Sequence, residues 1–351
     1  FWGGLTLAAE NEGVGLFEME LAAFTGLGGE LRYNSAVTGL VTQDNKVTGV
    51  TVGEETLNAD AVILACGGFE ANAKLRNDLM GGNWEKAKVR GTPHNTGDGL
   101  VMAHDQGAAK YGLYPNCHAT PMDLHMPDFA NLDLPAGERK NYRKICYFLG
   151  VMLNANGDRF VDEGENFRNY TYAQFGKAVL DQPGHFAWQV FDAKVDDLLY
   201  AEYQFHDAHF VEAETLDDLC AKMDGIDHHG ARATLDAFND AVMDDVAFDP
   251  TSLDGKGTRG LALAKSNWAQ KFDTPPFKAY PVTGGITFTY GGLKVSDAGA
   301  VLRSDDTVIE GLFACGEMVG GVFYEGYPGG SGLTSGAVFG RLAGQGAALK
   351  K

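Results

Sequence analysis

The run 61–66 constrains this chain most. It reads Ala-Val-Ile-Leu-Ala-Cys and passes directly into Gly67-Gly68. Six consecutive apolar residues are too few for a buried helix and lack the alternation of a half-exposed strand. The run therefore predicts a strand covered on both faces, central in an α/β sheet. Paired glycines at its carboxyl end place bare backbone where such sheets bind ligands. A second run, 311–315, repeats the arrangement and ends at Gly316-Glu317. Glycine supplies 47 of 351 residues, nearly double the ~7% average, and no three-residue period points to collagen.

A chain of 351 residues exceeds one ordinary core, so two domains are expected. Hydrophobic residues at 44% and charged residues at 21% exclude a disordered chain. The formal net charge of −19 argues against nucleic acid and anionic lipid as partners. A small anion stays open, because a local arginine pocket can reverse the sign. Cys66, Cys117, Cys146, Cys220 and Cys315 are odd in number, with no CxxC pair. That pattern argues against a disulfide scaffold, supports no metal site and fits a reducing, cytoplasmic setting. No run reaches membrane-span length and no signal peptide is legible, so no membrane insertion is expected. The chain opens at Phe1 in mid-pattern, as though its beginning were missing.

Residues 5–25 read as a helix, followed by short strands at 31–33, 37–43 and 47–52, with Asp44-Asn45 as a hairpin turn. Another helix is expected at 99–107. The middle, 112–280, has a different texture and holds seven of the nine histidines. Two amphipathic stretches lie at 213–224 and 230–247. A turn at 154–157 separates strands 151–153 and 159–161. Pro275-Pro276 punctuates its end, after which glycine-rich character returns, with a loop at 320–332 and a closing helix at 333–349. The division expected is 1–111, 112–280 and 281–351: an α/β domain interrupted by an α+β insertion.

The dinucleotide fingerprint GxGxxG is absent. Four other glycine-marked segments occur in order: Ala65 to Phe69, Thr96-Gly97-Asp98-Gly99, Gly316-Glu317, and Gly329-Gly330-Ser331-Gly332-Leu333 opening the last helix. Each alone reads equally well as a tight turn. Together, flanking an insertion, they resemble the flavoprotein family of fumarate reductases, succinate dehydrogenases and 3-ketosteroid dehydrogenases. The resemblance implies a Rossmann-like FAD-binding domain whose N-terminal βαβ unit is missing here, and a capping domain over it. It also implies FAD contacts at Val37, Ala65, Gly67, Gly68, Asp98, Phe288, Gly316, Glu317, Gly332 and Leu333.

In the insertion, the resemblance implies that His118, in Cys-His-Ala-Thr, binds substrate. It puts Arg168 near the family's proton-carrying arginine, though one residue further along. Thr287, Phe288 and Tyr327 replace cationic residues of fumarate reductases, while Gly326-Tyr327-Pro328-Gly329 is similar to the 3-ketosteroid dehydrogenases. Thr287, Tyr327, Gly330 and Ser331 complete the substrate side, with His118, Arg168 and Tyr327 as catalytic candidates. Arg159 and Glu163 read as a brace of their hairpin. Within the family, the segments around Cys117, Arg159 and Tyr327 look most like tricarballylate dehydrogenase. The implied reaction is oxidation of a CH–CH bond in a small carboxylic acid, tricarballylate to cis-aconitate, with an electron acceptor the sequence does not identify. Enone or 3-ketosteroid dehydrogenation, fumarate-type reduction, and a non-catalytic flavin-binding or electron-transfer homologue are the alternatives.

Overall fold

The computed structural model describes residues 8–349. The first helix runs Glu12–Gly26. Asn11 and Glu12 adopt positive φ, so the helix starts later than expected, and positions 5–7 lie outside the described residues. Positions 31–33 form no strand. Leu31 and Tyr33 are 44% and 69% exposed, and Arg32 turns to Glu30 and Glu55 at the surface, so nothing there can be buried by pairing. Val37–Gln43, Lys46–Val52 and Glu55–Asn58 form an antiparallel meander. Asp44 and Asn45, at φ 51° and 64°, make the tight turn that their side chains tolerate.

The apolar run at 61–66 supplies the strand Val62–Leu64, paired in parallel with Val308–Ala314, which also pairs with Ala300–Leu302. Among the described residues it is an edge strand, not a central one. Ile63 is 40% exposed, and Ala65 and Cys66 are exposed as well. The terminal helix Ser331–Ala348 packs against Val308–Ala314 and the turn Gly316–Met318. The helix Asp98–Asp105 takes in the aspartate expected just before it and stops two residues short of the expected end.

The largest sheet is organised by one long strand, Phe277–Thr289, which runs without a break through position 280. Along its length it pairs with Val211–Ala213, Phe186–Phe191, Lys88–Val89 and Cys117–Asp123. The helix Arg168–Leu180 lies across this sheet. It comes close because residue 176 is glycine: a Cβ there would meet the main chain of Ala119 and Thr120 at 2.5 and 2.6 Å. The two amphipathic stretches are the helices Leu216–Lys222 and His228–Ala241. The second ends earlier than expected because Val242 turns to bridge Thr258. Positions 159–161 contribute one bridge, Leu153 to Arg159, rather than a strand. Arg159 instead holds Glu163 at 2.5 Å, the expected brace.

Beside a small cluster of Ala300, Phe313 and Ala343, three larger apolar cores form among the described residues. One joins Leu64, Val89, Ala119, Ile286 and Met318, linking the near end of the large sheet to the smaller one. The others fill the two faces of the far end, around Tyr147 and Trp268 and around Leu235 and Phe277. All five cysteines are free, and no described helix is long and apolar enough to cross a membrane. Among the described residues no three His, Cys, Asp or Glu side chains cluster as a metal site would require.

Candidate active site

Parallel pairing brings the carboxyl ends of Val62–Leu64 and Val308–Ala314 side by side, and Cys315 N–H donates to the Leu64 carbonyl at 3.0 Å. Gly68 therefore faces Glu317, while Gly67 faces the Asn95 side chain. Gly68 is buried and must be glycine, since a Cβ would meet Thr289 Oγ1 at 2.2 Å and Glu317 Oε1 at 2.3 Å. Glu317 Oε1 accepts from the Thr289 amide at 2.6 Å and from its hydroxyl at 2.9 Å.

Behind it sits Glu70, 4% exposed, with one oxygen held by Asn95 Nδ2. Its other oxygen, Oε2, finds no donor among ordinary partners. Burial, then the charge of Glu70, pushes the Glu317 carboxyl well above the usual range. Burial also raises Glu70, offset by the Asn95 bond. The pair accordingly shares a proton carried on Glu317, which then supplies the donor that Glu70 otherwise lacks.

Thr289 belongs to the long strand, so this carboxyl pair connects directly to the largest sheet. One residue earlier, Phe288 pairs with His118 across a bulge that falls between Ile286 and Phe288. The His118 ring stacks on Tyr327 with centroids 4.4 Å apart and planes 7° apart, and meets Tyr172 edge-on at 4.9 Å. Phe288 and Phe323 close the group around Tyr327 at 5.4 and 4.8 Å. Tyr327 Oη accepts from the Gly332 amide at 3.1 Å, tying this aromatic box to the first turn of the terminal helix.

His118 is 3% exposed, yet neither ring nitrogen has a partner, and neither does Thr287 Oγ1. Burial first, then the nearby charge of Arg90, pushes the imidazole down to about 3, so it is neutral at physiological pH. A neutral imidazole offers one donor and one acceptor. Burial raises the Tyr327 phenol, which stays protonated.

Cations surround the box. Arg168 opens the helix Arg168–Leu180, its guanidinium 5.4 Å from the Tyr172 ring and 5.8 Å from Tyr200. Arg143 Nε holds Glu202 Oε1 at 2.5 Å. Arg90, lowered to about 10 by burial and then by Arg143, remains charged.

The structure brings His118, Phe288, Tyr327 and Gly332 into contact, with Thr287 beside them. Arg168 reaches the box through Tyr172. Gly330 and Ser331 line an apolar cavity of about 480 Å³ with Phe323 and Val338, and Ser331 Oγ caps the Pro328 carbonyl at 2.5 Å. Val37 and Asp98 lie apart from these but face one cavity of about 500 Å³, where Asp98 Oδ2 accepts from Thr96 at 2.7 Å. Leu333 is 69% exposed at the helix start. Sequence reasoning missed Glu70, Arg90 and Tyr172. Tyr172 was within reach, standing one helical turn after Arg168. Arg90 and Glu70 carry no motif, and only strand register and the Gly68 contact place them.

These features suit a long, partly polar cofactor. A cavity lined by Val37 and Asp98, exposed Ala65 and Cys66 at one strand end and a raised carboxyl at Glu317 offer hydroxyl-binding chemistry. The chain matches the family described as an FAD binding domain over residues 7–333. It belongs to that family. It is 29% identical over 338 residues to a probable fumarate reductase, Ifc3, of Shewanella frigidimarina, covering 91% of this chain and 50% of that protein. To a 3-oxosteroid 1-dehydrogenase of Mycolicibacterium smegmatis it is 28% identical over 346 residues, covering 88% and 58%. Its fold is like that of the open conformation of a flavocytochrome c3 fumarate reductase, with a TM-score of 0.72 and 26% identity over 99% of this chain and 57% of that one. The chain thus spans little more than half the length of these relatives. The residues present fit FAD. Glu317 and the adjacent strand ends would hold its polar chain, and the Val37 cavity its far end.

Proposed function

We propose that this protein is an FAD-dependent oxidoreductase that removes hydrogen across a CH–CH bond beside a carboxylate. The observation carrying this reading is His118: a buried neutral imidazole with two unpartnered nitrogens, stacked on Tyr327 and near the charge of Arg90. In this reading 1–111 and 281–351 hold the cofactor, and 112–280 caps the substrate, with the long strand shared between them.

When bound, FAD supplies the acceptor for the hydride that leaves one substrate carbon. His118 and Tyr327 donate to the carboxyl oxygen on which negative charge grows as the neighbouring carbon loses its proton. Arg168 holds that end of the substrate and relays the departing proton toward solvent, giving up one N–H proton as it takes the substrate's. Burial keeps His118 uncharged, so it offers a directed hydrogen bond without neutralising the nearby arginines' targets. Phe288, Phe323 and Tyr172 keep water from the reacting carbons.

The substrate we infer is tricarballylate, giving cis-aconitate. A trianion needs several cations in a chain of charge −19, and Arg90, Arg143 and Arg168 gather where it would lie. Tyr327 and the apolar cavity beside Ser331 favour a second reading, a cyclic enone-forming ketone dehydrogenase. A dye-linked assay of the full-length FAD-loaded protein separates them. Turnover of tricarballylate with appearance of its alkene supports the first reading. Turnover of 3-ketosteroids alone replaces it with the second.

A further inference from the structure

A buried arginine with a purely structural task has a recognisable form in this molecule. Arg76, 4% exposed, spends its N–H groups on the main-chain carbonyls of Trp84, Glu70, Glu85 and Ala87. Arg90 has no such set. Its own amide donates to the Ile286 carbonyl at 2.9 Å, fixing the backbone, but among the described residues its guanidinium makes no hydrogen bond or ion pair.

Strand register fixes where that guanidinium starts. Lys88–Val89 runs parallel to Gly285 and Ile286, with Val89 opposite Ile286, so Arg90 is the next residue along and lies beside Thr287. His118 flanks the same stretch from the opposite side, opposite Phe288. Thr287 therefore sits between an unpaired cation and an unpartnered histidine, and its own hydroxyl is buried without a partner. Arg90 is half-buried and presents its charge to a cavity rather than to a counter-charge, an arrangement that an anionic ligand would complete.

Arg90 also lines a cavity of about 180 Å³ with Met122, Met126, Asn141 and Tyr142. Asn141 Oδ1 is likewise buried and unpartnered. The other cation on this cavity, Lys140, is already engaged with Asp207 at 2.6 Å, as Arg143 is with Glu202 at 2.5 Å. The charge left to be met there belongs to Arg90.

We propose that Arg90 forms a second carboxylate-binding subsite, across Thr287 from His118, which selects acids carrying at least two carboxylates. This rests on the carboxylic-acid reading of the site and narrows it. One carboxylate lies against His118 and Arg168. A second crosses Thr287 and receives the Arg90 fork. A monoacid satisfies the first position and leaves Arg90 as it stands, so discrimination comes from the unpaired cation as much as from the new bond.

The test is titration of the full-length FAD-loaded protein with tricarballylate, succinate and butyrate, following the shift of the flavin spectrum for binding and its anaerobic bleaching for chemistry. Wild type is expected to bind the two polyacids more tightly than butyrate. Arg90→Gln is expected to weaken both polyacids roughly 10- to 100-fold, the worth of a charged hydrogen-bonded contact, and to leave butyrate within about threefold. Arg90→Lys should regain part of the loss. Flavin content and far-UV circular dichroism report folding, and where the glutamine variant loses flavin the lysine variant carries the comparison. Equal affinity for all three acids in wild type, unchanged polyacid binding in the variants, or equal weakening of butyrate overturns the subsite. Binding with the expected pattern but no bleaching by any acid overturns the desaturation reading and leaves the subsite standing.

Discussion

Because His118 is held neutral by burial, its protonation should cost folding stability as the pH falls. The folded value is about 3, against ~6.5 in an unfolded chain. A depressed folded value means the contribution is complete above the unfolded value and is lost as pH falls toward the folded one. At about pH 5 the unfolded chain has taken up its proton and the folded one has not, which removes about 2 kcal/mol of stability relative to about pH 8. With ~2.1 cal/mol/K of unfolding entropy per residue over 351 residues, that corresponds to about 3 °C in melting temperature. His118→Gln keeps a polar side chain of similar reach and removes the titration. Urea unfolding of wild type and variant at both pH values gives the difference of differences. Wild type should lose about 2 kcal/mol more than the variant between the two. Parallel pH profiles, or an imidazole resonance titrating near its ordinary value, would refute a buried neutral His118.

Four further substitutions have defined outcomes. Gly176→Val should destabilise by ~1–3 kcal/mol or more, because its side chain would strike the Ala119 and Thr120 backbone. Gly344→Ala, in an exposed position of the terminal helix with open space around it, should stabilise by ~0.5–1 kcal/mol in the same denaturation assay. Glu317→Gln should flatten a loss of stability that begins as pH rises above the ordinary carboxylate range: a raised carboxyl contributes fully below the unfolded value and loses that contribution as pH rises toward the folded one. Its retention of the Thr289 acceptor should also preserve FAD content, read by absorbance. Arg168→Ala should lower turnover ~10²- to 10⁴-fold while leaving bound flavin unchanged, and ordinary turnover would remove Arg168 from the chemistry.

The sequence carried the local pieces well where chemistry is local. The turn at Asp44-Asn45, the aspartate opening the helix Asp98–Asp105 and the Gly316-Glu317 strand end all follow from residues adjacent in the chain. Residues 31–33 failed because alternation cannot reveal whether a partner strand exists. The run 61–66 was legible as a strand but not as an edge, since hydrophobicity records the covering a segment needs and not which neighbour gives it. His118, Phe288 and Tyr327 came from motifs far apart in sequence, yet their stacking depends on the bulge between Ile286 and Phe288, which no local pattern encodes. Arg90 and Glu70 show the same limit. Each acts through a partner brought by register or by the absence of a side chain at Gly68, and neither stands in a recognisable string.

The central claim is that this chain holds a flavin and delivers to it a hydride from a carboxylic acid bound at His118. Its most direct test is anaerobic mixing of the full-length FAD-loaded protein with one equivalent of tricarballylate in a stopped-flow spectrophotometer. Loss of the oxidised-flavin band, matched by an equal amount of alkene product, is the predicted result. A flavin that stays oxidised with this and every other polycarboxylate would contradict it.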